Sequence, residues 1–144
     1  MTTKLPTKRD VRFILAEDLR QEAPGKLSIF GFMAGDQILV GGDPPKEFPG
    51  AAFILPSLAF LFVISAGEGN FGGRLRVIAP DRKTVVFDAP FQAPLEKKKG
   101  VSAIFGTGAR PFLGPSYGTY TAEFTLQEVR FKFPILIEKA GVDK

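Results

Sequence analysis

Short segments of alternating apolar and polar residues follow one another along the chain, and turns rich in glycine and proline separate them. A period of two is typical of β-strands that bury one face, and no apolar pattern of helical period persists over several turns. The sequence therefore predicts strands and little helix. The predicted strands cover residues 11–16, 26–33, 37–40, 58–65, 74–79, 84–88, 101–106, 118–126 and 129–137.

Eight or nine strands at short spacing indicate an all-β fold. We expect a two-sheet antiparallel sandwich, immunoglobulin-like or of a related Greek-key topology, because strands such as 74–79 carry one polar face. Gly118-Thr119-Tyr120 resembles the position of the tyrosine that fixes a corner in immunoglobulin-like sandwiches. We expect a single domain over 11–138, between a loose leader at 1–10 and a C-terminal tail at 139–144.

Two features of the pattern predict more than the presence of strands. The clearest hairpin turns at Gln127-Glu128, and this turn places Glu123 opposite Lys132 on the solvent side. Residues 26–33 and 58–65 are apolar on both faces, which predicts strands that are covered on both sides.

The densest charge lies in a polar crossing between predicted strands 11–16 and 26–33, and the crossing ends in a turn at 23–25. These charges can pair with one another and brace one end of the sandwich, or they can orient a ligand or a partner. A Gly/Pro-rich loop at 107–118 offers two further side chains, because binding residues often lie on loops. The candidate binding residues are Glu17, Asp18, Arg20, Glu22, Lys26, Arg110 and Tyr117.

Residues 17–31 read E-D-L-R-Q-E-A-P-G-K-L-S-I-F-G. The pattern E/D-x-R-x-E-x-x-G-K-L-S-x-x-G within them resembles the opening of a family of uncharacterised bacterial β-sandwich proteins of similar length. That family is a domain of unknown function, so the resemblance implies a bacterial origin and implies no activity. The matching residues are Asp18, Arg20, Glu22, Gly25, Lys26, Leu27, Ser28 and Gly31.

Histidine and cysteine are both absent from the 144 residues. Their absence excludes Ser-His-Asp triads, thiolate nucleophiles and metal sites built from either residue. Gly106-x-Gly108-x-x-Pro111 lacks the third glycine and the following helix of a dinucleotide site, and the Asp-bearing loops lack the spacing of a calcium loop. We therefore expect no catalytic residue, no metal and no cofactor.

The net charge of +4 suggests attraction to an anionic polymer through Arg74, Arg76 and the lysines at 97–99. Nucleic acid is not the expected partner, because proteins that bind it usually cluster their charge on one face. Residues 48–67 carry no charge, but proline and glycine interrupt them, so we expect no membrane span. With no recognisable secretory signal, the expected location is the cytoplasm.

Phenylalanine is unusually frequent, with fifteen residues beside two tyrosines and no tryptophan. Such a composition predicts a thick aromatic core with some apolar surface left over for an interface. The sequence favours a non-enzymatic binding or assembly module, with a second copy of the chain or another protein as its partner. Two alternatives stay open, namely a small-ligand binder or carboxylate-based enzyme that uses the charged crossing at 17–26, and a weak binder of anionic polymers.

Overall fold

The computed structural model describes residues 3–23, 26–31, 33 and 37–140. It confirms the all-β prediction, since the only helix within these ranges is a short 3₁₀ helix at Lys8–Asp10. The strands are β1 (Val11–Ala16), β2 (Asp18–Ala23), β3 (Lys26–Phe30), β4 (Gln37–Val40), β5 (Phe53–Leu55), β6 (Leu58–Ile64), β7 (Gly69–Phe71), β8 (Gly73–Ile78), β9 (Val85–Pro90), β10 (Leu95–Lys97), β11 (Ala103–Ala109), β12 (Phe112–Gly114), β13 (Gly118–Leu126) and β14 (Val129–Lys139).

The described residues form fourteen strands, so the prediction of eight or nine is wrong. Four of the additional strands, β5, β7, β10 and β12, have three residues each. A segment of three residues is too short for a period of two to be visible in the sequence.

The predicted polar crossing at 17–22 is also wrong, because Asp18–Ala23 is strand β2, which pairs with β3 as an antiparallel hairpin. The sequence of this strand alternates charged residues (Asp18, Arg20 and Glu22) with Leu19 and Gln21. This is the period of two of a strand, with charged side chains at positions where neutral polar side chains are more usual. Residues 24 and 25 of the predicted turn, residues 1–2 of the leader and residues 141–144 of the tail lie outside the described residues.

Two larger sheets carry most of the fold. The three-stranded sheet has the order β1-β6-β11, and the five-stranded sheet has the order β4-β14-β13-β8-β9. Three two-stranded sheets, β2-β3, β5-β12 and β7-β10, surround them. All pairs are antiparallel except β4 with β14, which run parallel.

Aromatic side chains of the two larger sheets contact one another within the hydrophobic core. Phe62 of β6 stacks on Phe124 of β13 with ring centroids 4.1 Å apart, and both side chains are fully buried. Phe13 of β1 lies 5.3 Å from Phe133 of β14. Offset stacking of aromatic rings contributes about 0.5–1.5 kcal/mol beyond the burial of their surface. The high phenylalanine content is therefore largely used inside the protein.

The predicted hairpin around Gln127-Glu128 is confirmed, and its register places Glu123 opposite Lys132. The solvent exposure of Glu123 was predicted wrongly. Its side chain is buried, and Arg76 of the neighbouring strand β8 donates to it at 2.9 Å. A buried carboxylate needs a charged partner, and the third strand supplies one.

The two strands that were expected to be covered on both faces differ. Strand β6 confirms the prediction, since it lies between β1 and β11 and nearly all its side chains are buried. Strand β3 does not, because it pairs only with β2 in the part of the chain that the structure describes, and its Ile29 and Phe30 are 40% and 42% exposed. Residue 32 of the predicted strand lies outside the described residues.

Segments outside the large sheets are attached by specific bonds. Lys4 forms a bridge with Glu68, and Pro6 is buried. The hydroxyl of Tyr120 donates to the carbonyl of Ser116 at 2.6 Å.

No helix in the described ranges is long and apolar enough to cross a membrane.

Candidate functional site

An open groove of about 1020 Å³ lies between the β2–β3 hairpin and strand β11. Its floor is formed by Ile104, Gly106 and Gly108 of β11, and Leu19 and Leu27 of the hairpin contribute apolar wall. Ligand sites in proteins usually have volumes of about 300–1,000 Å³ and are mostly apolar with a few polar groups. The groove is therefore large enough to hold a ligand.

The glycines of β11 explain why the hairpin lies so close to this strand. A Cβ atom on Gly106 would come within 2.9 Å of the Leu19 Cδ1 atom, so a larger residue there would displace the hairpin. A Cβ atom on Gly108 would lie 3.4 Å from the nearest atom, the Leu58 carbonyl oxygen, which is an ordinary van der Waals contact with β6. The two glycines thus leave a floor that is flat and partly made of main chain.

Charged side chains lie at both ends of the groove. Asp18, at the base of the hairpin, forms ion pairs with Arg110 and with Arg20, whose Nε atom lies 3.5 Å from the carboxylate. The hydrogen bond from Arg110 lowers the pKa of Asp18 below its usual value, and the backbone N–H of Leu19 and the side chain of Arg20 act in the same direction. Lys26, near the tip of the hairpin, lines the opposite end and is exposed.

The structure brings three of the seven candidate residues together in the groove, namely Asp18, Lys26 and Arg110. Arg20 lies beside them through its ion pair with Asp18, and its guanidinium carbon is 4.9 Å from the centre of the Phe30 ring. The two segments that contribute these residues, 18–26 and 110, are remote in sequence.

The other three candidates do not line the groove. The carbonyl of Glu17 accepts a hydrogen bond from the Ser57 hydroxyl at 2.6 Å. Glu22 is exposed on β2. Tyr117 packs against the core, with its ring centroid 5.2 Å from that of Phe53. Tyr117 therefore contributes to the packing of the core.

Sequence reasoning missed the apolar part of the groove. Leu19 lies within a charged segment of the sequence, and Ile104 lies within a predicted strand of ordinary composition. The glycines at 106 and 108 resemble part of a dinucleotide motif, which they do not form. The available indication was that Ile104, Gly106 and Gly108 occupy alternate positions, so they share one face of a strand.

A second cavity of about 560 Å³ lies on the other side of β11, between Phe105–Gly108 and the segment 87–96. Next to this segment, Lys97 is almost fully buried, and its ammonium group donates to the Lys98 carbonyl at 2.6 Å. The same carbonyl accepts the N–H of Val101 at 3.1 Å. Lys97 thus helps to hold the turn that leads into β11.

The groove offers chemistry that suits binding. Its one carboxylate, Asp18, is ionised at neutral pH like any ordinary aspartate, and hydrogen bonds from two arginines lower its pKa further, so it is not a proton donor there. In the part of the chain that the structure describes, no cluster of three or more acidic side chains is placed to hold a metal ion.

Comparisons with protein-family models and with curated proteins each return no match for this chain. The resemblance of residues 17–31 to a bacterial family accordingly stays a prediction.

Proposed function

We propose that the protein is a non-enzymatic binding module and that the groove between the β2–β3 hairpin and β11 is its binding site. The observation that carries this proposal is the combination, in one groove of about 1020 Å³, of the apolar side chains of Leu19, Leu27 and Ile104 with the charged groups of Lys26 and Arg110. An apolar surface supplies affinity for a ligand, and a small number of charged groups fixes its orientation.

The anionic dye 1-anilinonaphthalene-8-sulfonate tests the groove, because it combines an aromatic body with a negative charge. We expect saturable binding to the native protein, and we expect Gly108→Leu to weaken it at least about tenfold, since the new side chain fills the floor. Gly41→Leu is the matched control, because a Cβ atom there has no neighbour within 4 Å and Gly41 lies outside the groove. Equal dye binding by both variants would remove the groove as the site.

Self-association is a second candidate function, and the exposed Ile29 and Phe30 of the hairpin favour it. Ile29 and Phe30 are consecutive in β3, so their side chains project from opposite faces of the hairpin, and each face offers a partner one large apolar side chain. We expect light scattering at high protein concentration to give the mass of an oligomer, and Ile29→Ser with Phe30→Ser to give the mass of a monomer. A monodisperse monomer of the unaltered chain at all concentrations would remove this candidate.

The remaining alternatives have less support. Arg74 is held in a two-bond ion pair by Asp88, with distances of 3.0 and 2.9 Å, and Arg76 is paired with Glu123. Both arginines would have to leave these partners to contact an anionic polymer. A carboxylate-based enzyme would need a free acid or base in the groove, and Asp18 is already committed to two ion pairs.

We further propose that the two larger sheets form the layers of an immunoglobulin-like or Greek-key sandwich. The stacking of Phe62 on Phe124 supports two facing layers. The hydrogen bond from Tyr120 to the Ser116 carbonyl supports an immunoglobulin-like corner, where a tyrosine makes such a bond to the backbone a few residues upstream. An experimental structure that shows the two sheets side by side, without facing layers, would contradict this architecture.

A further inference from the structure

We infer that the outer edge of β11 binds an acidic peptide segment as an added β-strand. This inference rests on the proposed function, because it names the ligand class of the same groove. It goes beyond that proposal by assigning the recognition to backbone groups of β11 together with two cationic side chains.

The direction of the backbone groups follows from the strands next to β11. Ser65, directly after β6, donates its N–H to the Asp10 carbonyl at 2.9 Å, on the β1 side. In a strand the N–H and C=O of one residue point to the same edge, and successive residues alternate. Phe62 and Phe60, which differ from Ser65 by odd numbers of residues, therefore direct these groups towards β11.

The register completes the assignment. Phe62 lies opposite Phe105, and Phe60 lies opposite Thr107. Phe105 and Thr107 consequently bond to β6, and the N–H and C=O groups of the residues between and beside them point away from the sheet. These residues are Ile104, Gly106 and Gly108. No backbone hydrogen bond from another described segment reaches them.

This edge lacks the features that normally prevent strand addition. Natural sheets protect their edges with lysine, proline, bulges or very short strands. Strand β11 has seven residues, contains neither lysine nor proline, and pairs with β6 without a register shift. Two of its three outward-directed residues are glycines, so only Ile104 has a side chain there, and that side chain stands roughly perpendicular to the plane of the sheet.

The space beside the edge is open on both faces. Gly106 and Gly108 line the groove under the hairpin, and the same two residues line the cavity of about 560 Å³ next to segment 87–96. A strand added to β11 would lie about 4.8 Å from it, in the plane of the sheet. It would therefore occupy the region between the hairpin and segment 87–96.

Charge selects an acidic segment as the occupant. The hairpin base carries Asp18 and contacts Arg110, which follows β11, and Lys26 lies at the other end of the hairpin. The groove thus presents Lys26 at one end and, at the other, Arg20 and Arg110, which share the single carboxylate of Asp18 and so keep a net positive charge. Asp88 and Glu96, which line the cavity on the other side of the edge, are paired with Arg74 and Lys98. A second copy of the chain would place the same strand, with its own Arg110 and a net charge of +4, against these cations. An acidic peptide gains attraction at both ends and main-chain hydrogen bonds along the edge.

The test uses the full chain and the peptide Val-Glu-Val-Glu-Val-Glu-Val, acetylated and amidated, whose length matches β11. Binding is followed by amide chemical shifts at low ionic strength, where charge attraction is least screened. We expect saturable binding with slowed amide exchange at Gly106 and Gly108. The same peptide with lysine in place of glutamate should bind at least about tenfold more weakly, since it loses the charge-assisted hydrogen bonds to the cationic side chains and meets like charge instead.

Two changes separate strand addition from simple charge attraction. Methylation of the two central peptide nitrogens removes one N–H from each edge of the peptide, because the N–H groups of successive residues point to alternate edges. In the protein, Gly108→Pro removes an N–H that points away from β6. Each should abolish binding. Lys26→Glu should weaken binding of the acidic peptide about tenfold, and Lys46→Glu, an equal charge change at an exposed position outside the groove, should leave it unchanged. If Gly108→Pro fails to fold, the methylated peptide still decides.

The outcomes distinguish this inference from the proposed function. If the anionic dye binds in the groove and no acidic peptide does, the inference is overturned and the groove remains a binding site. Equal affinity for the methylated peptide would also overturn the inference, because binding would then not use the strand edge. Slow exchange of the Gly106 and Gly108 amides in a dimer of the free protein would assign the edge to a second copy and overturn the acidic-peptide assignment. If neither dye nor peptide binds, both the inference and the proposed function are wrong.

Discussion

Asp18 of β2 and Arg110, directly after β11, form an ion pair that joins the surface hairpin to the three-stranded sheet. The arginine is 65% exposed, and the aspartate is 23% exposed. The pair closes one end of the groove. Together with the close approach of Leu19 to Gly106, it holds the hairpin beside the floor, because no strand of the hairpin pairs with β11 in the described chain.

The first prediction concerns the pH dependence of this pair. The hydrogen bond from Arg110 lowers the pKa of Asp18 in the folded state, while the unfolded value is about 3.9. A group with a lowered folded pKa stabilises the fold above its unfolded pKa and loses this contribution as the pH falls through the folded pKa. We therefore expect Asp18→Asn to be less stable than the unaltered protein at pH 7 and equally stable in strong acid.

Urea unfolding of both proteins across this pH range measures the difference. The control is Asp18→Asn in a background of Arg110→Ala, in which the stability difference at pH 7 should be much smaller, as a double-mutant cycle requires for a direct interaction. An undiminished difference in that background would show that Arg110 is not the cause.

Part of the fold was predictable because it depends on local patterns. The β13–β14 hairpin has long alternating strands and a two-residue turn, so its register could be read from positions such as Glu123 and Lys132. Strand β6 was recognisable from its continuous apolar run. In both cases the information lies within a few neighbouring residues.

The rest of the fold depends on contacts between distant segments. The parallel pairing of β4 with β14 places Gln37 beside Leu136, and no local pattern encodes that choice. Strand β2 was missed because charged residues have low strand propensity, and its position is determined by pairing with β3. The groove arises where Leu19 meets Gly106, which also belong to separate segments.

The second prediction concerns the aromatic core. Phe62 is fully buried and stacks on Phe124 at 4.1 Å, so Phe62→Ala removes packing from both large sheets. We expect it to lower the free energy of unfolding by about 3–5 kcal/mol, the usual cost of replacing a buried phenylalanine. Phe48→Ala is the matched control, since Phe48 is 37% exposed and is not part of the buried core, and it should cost less, about 1–1.5 kcal/mol. Equilibrium urea unfolding gives both values, and similar losses for the two variants would contradict a core centred on Phe62.

The third prediction compares two arginines on strand β8. Arg76 pairs with the buried Glu123, whereas Arg74 pairs with Asp88 at the surface, where both side chains are 40% exposed or more. Arg76→Ala leaves a buried carboxylate without its partner and should cost about 2 kcal/mol of stability. Arg74→Ala should cost at most about 1 kcal/mol, the usual range for a surface pair. Thermal or urea unfolding of the two variants makes the comparison, and a larger loss for Arg74→Ala would reverse the assignment of the buried pair.

The fourth prediction concerns amide hydrogen exchange along β11 in the free protein. Phe105 and Thr107 direct their N–H groups to β6, so their amides should be protected, whereas the amides of Gly106 and Gly108 point outward and should exchange rapidly. Exchange followed by two-dimensional NMR measures each amide separately. Strand β6 is the internal control, because its Phe62 and Val63 both bond within the sheet and should both be protected. The opposite alternation, with Gly106 slow and Phe105 fast, would mean that β11 presents its other set of backbone groups to solvent.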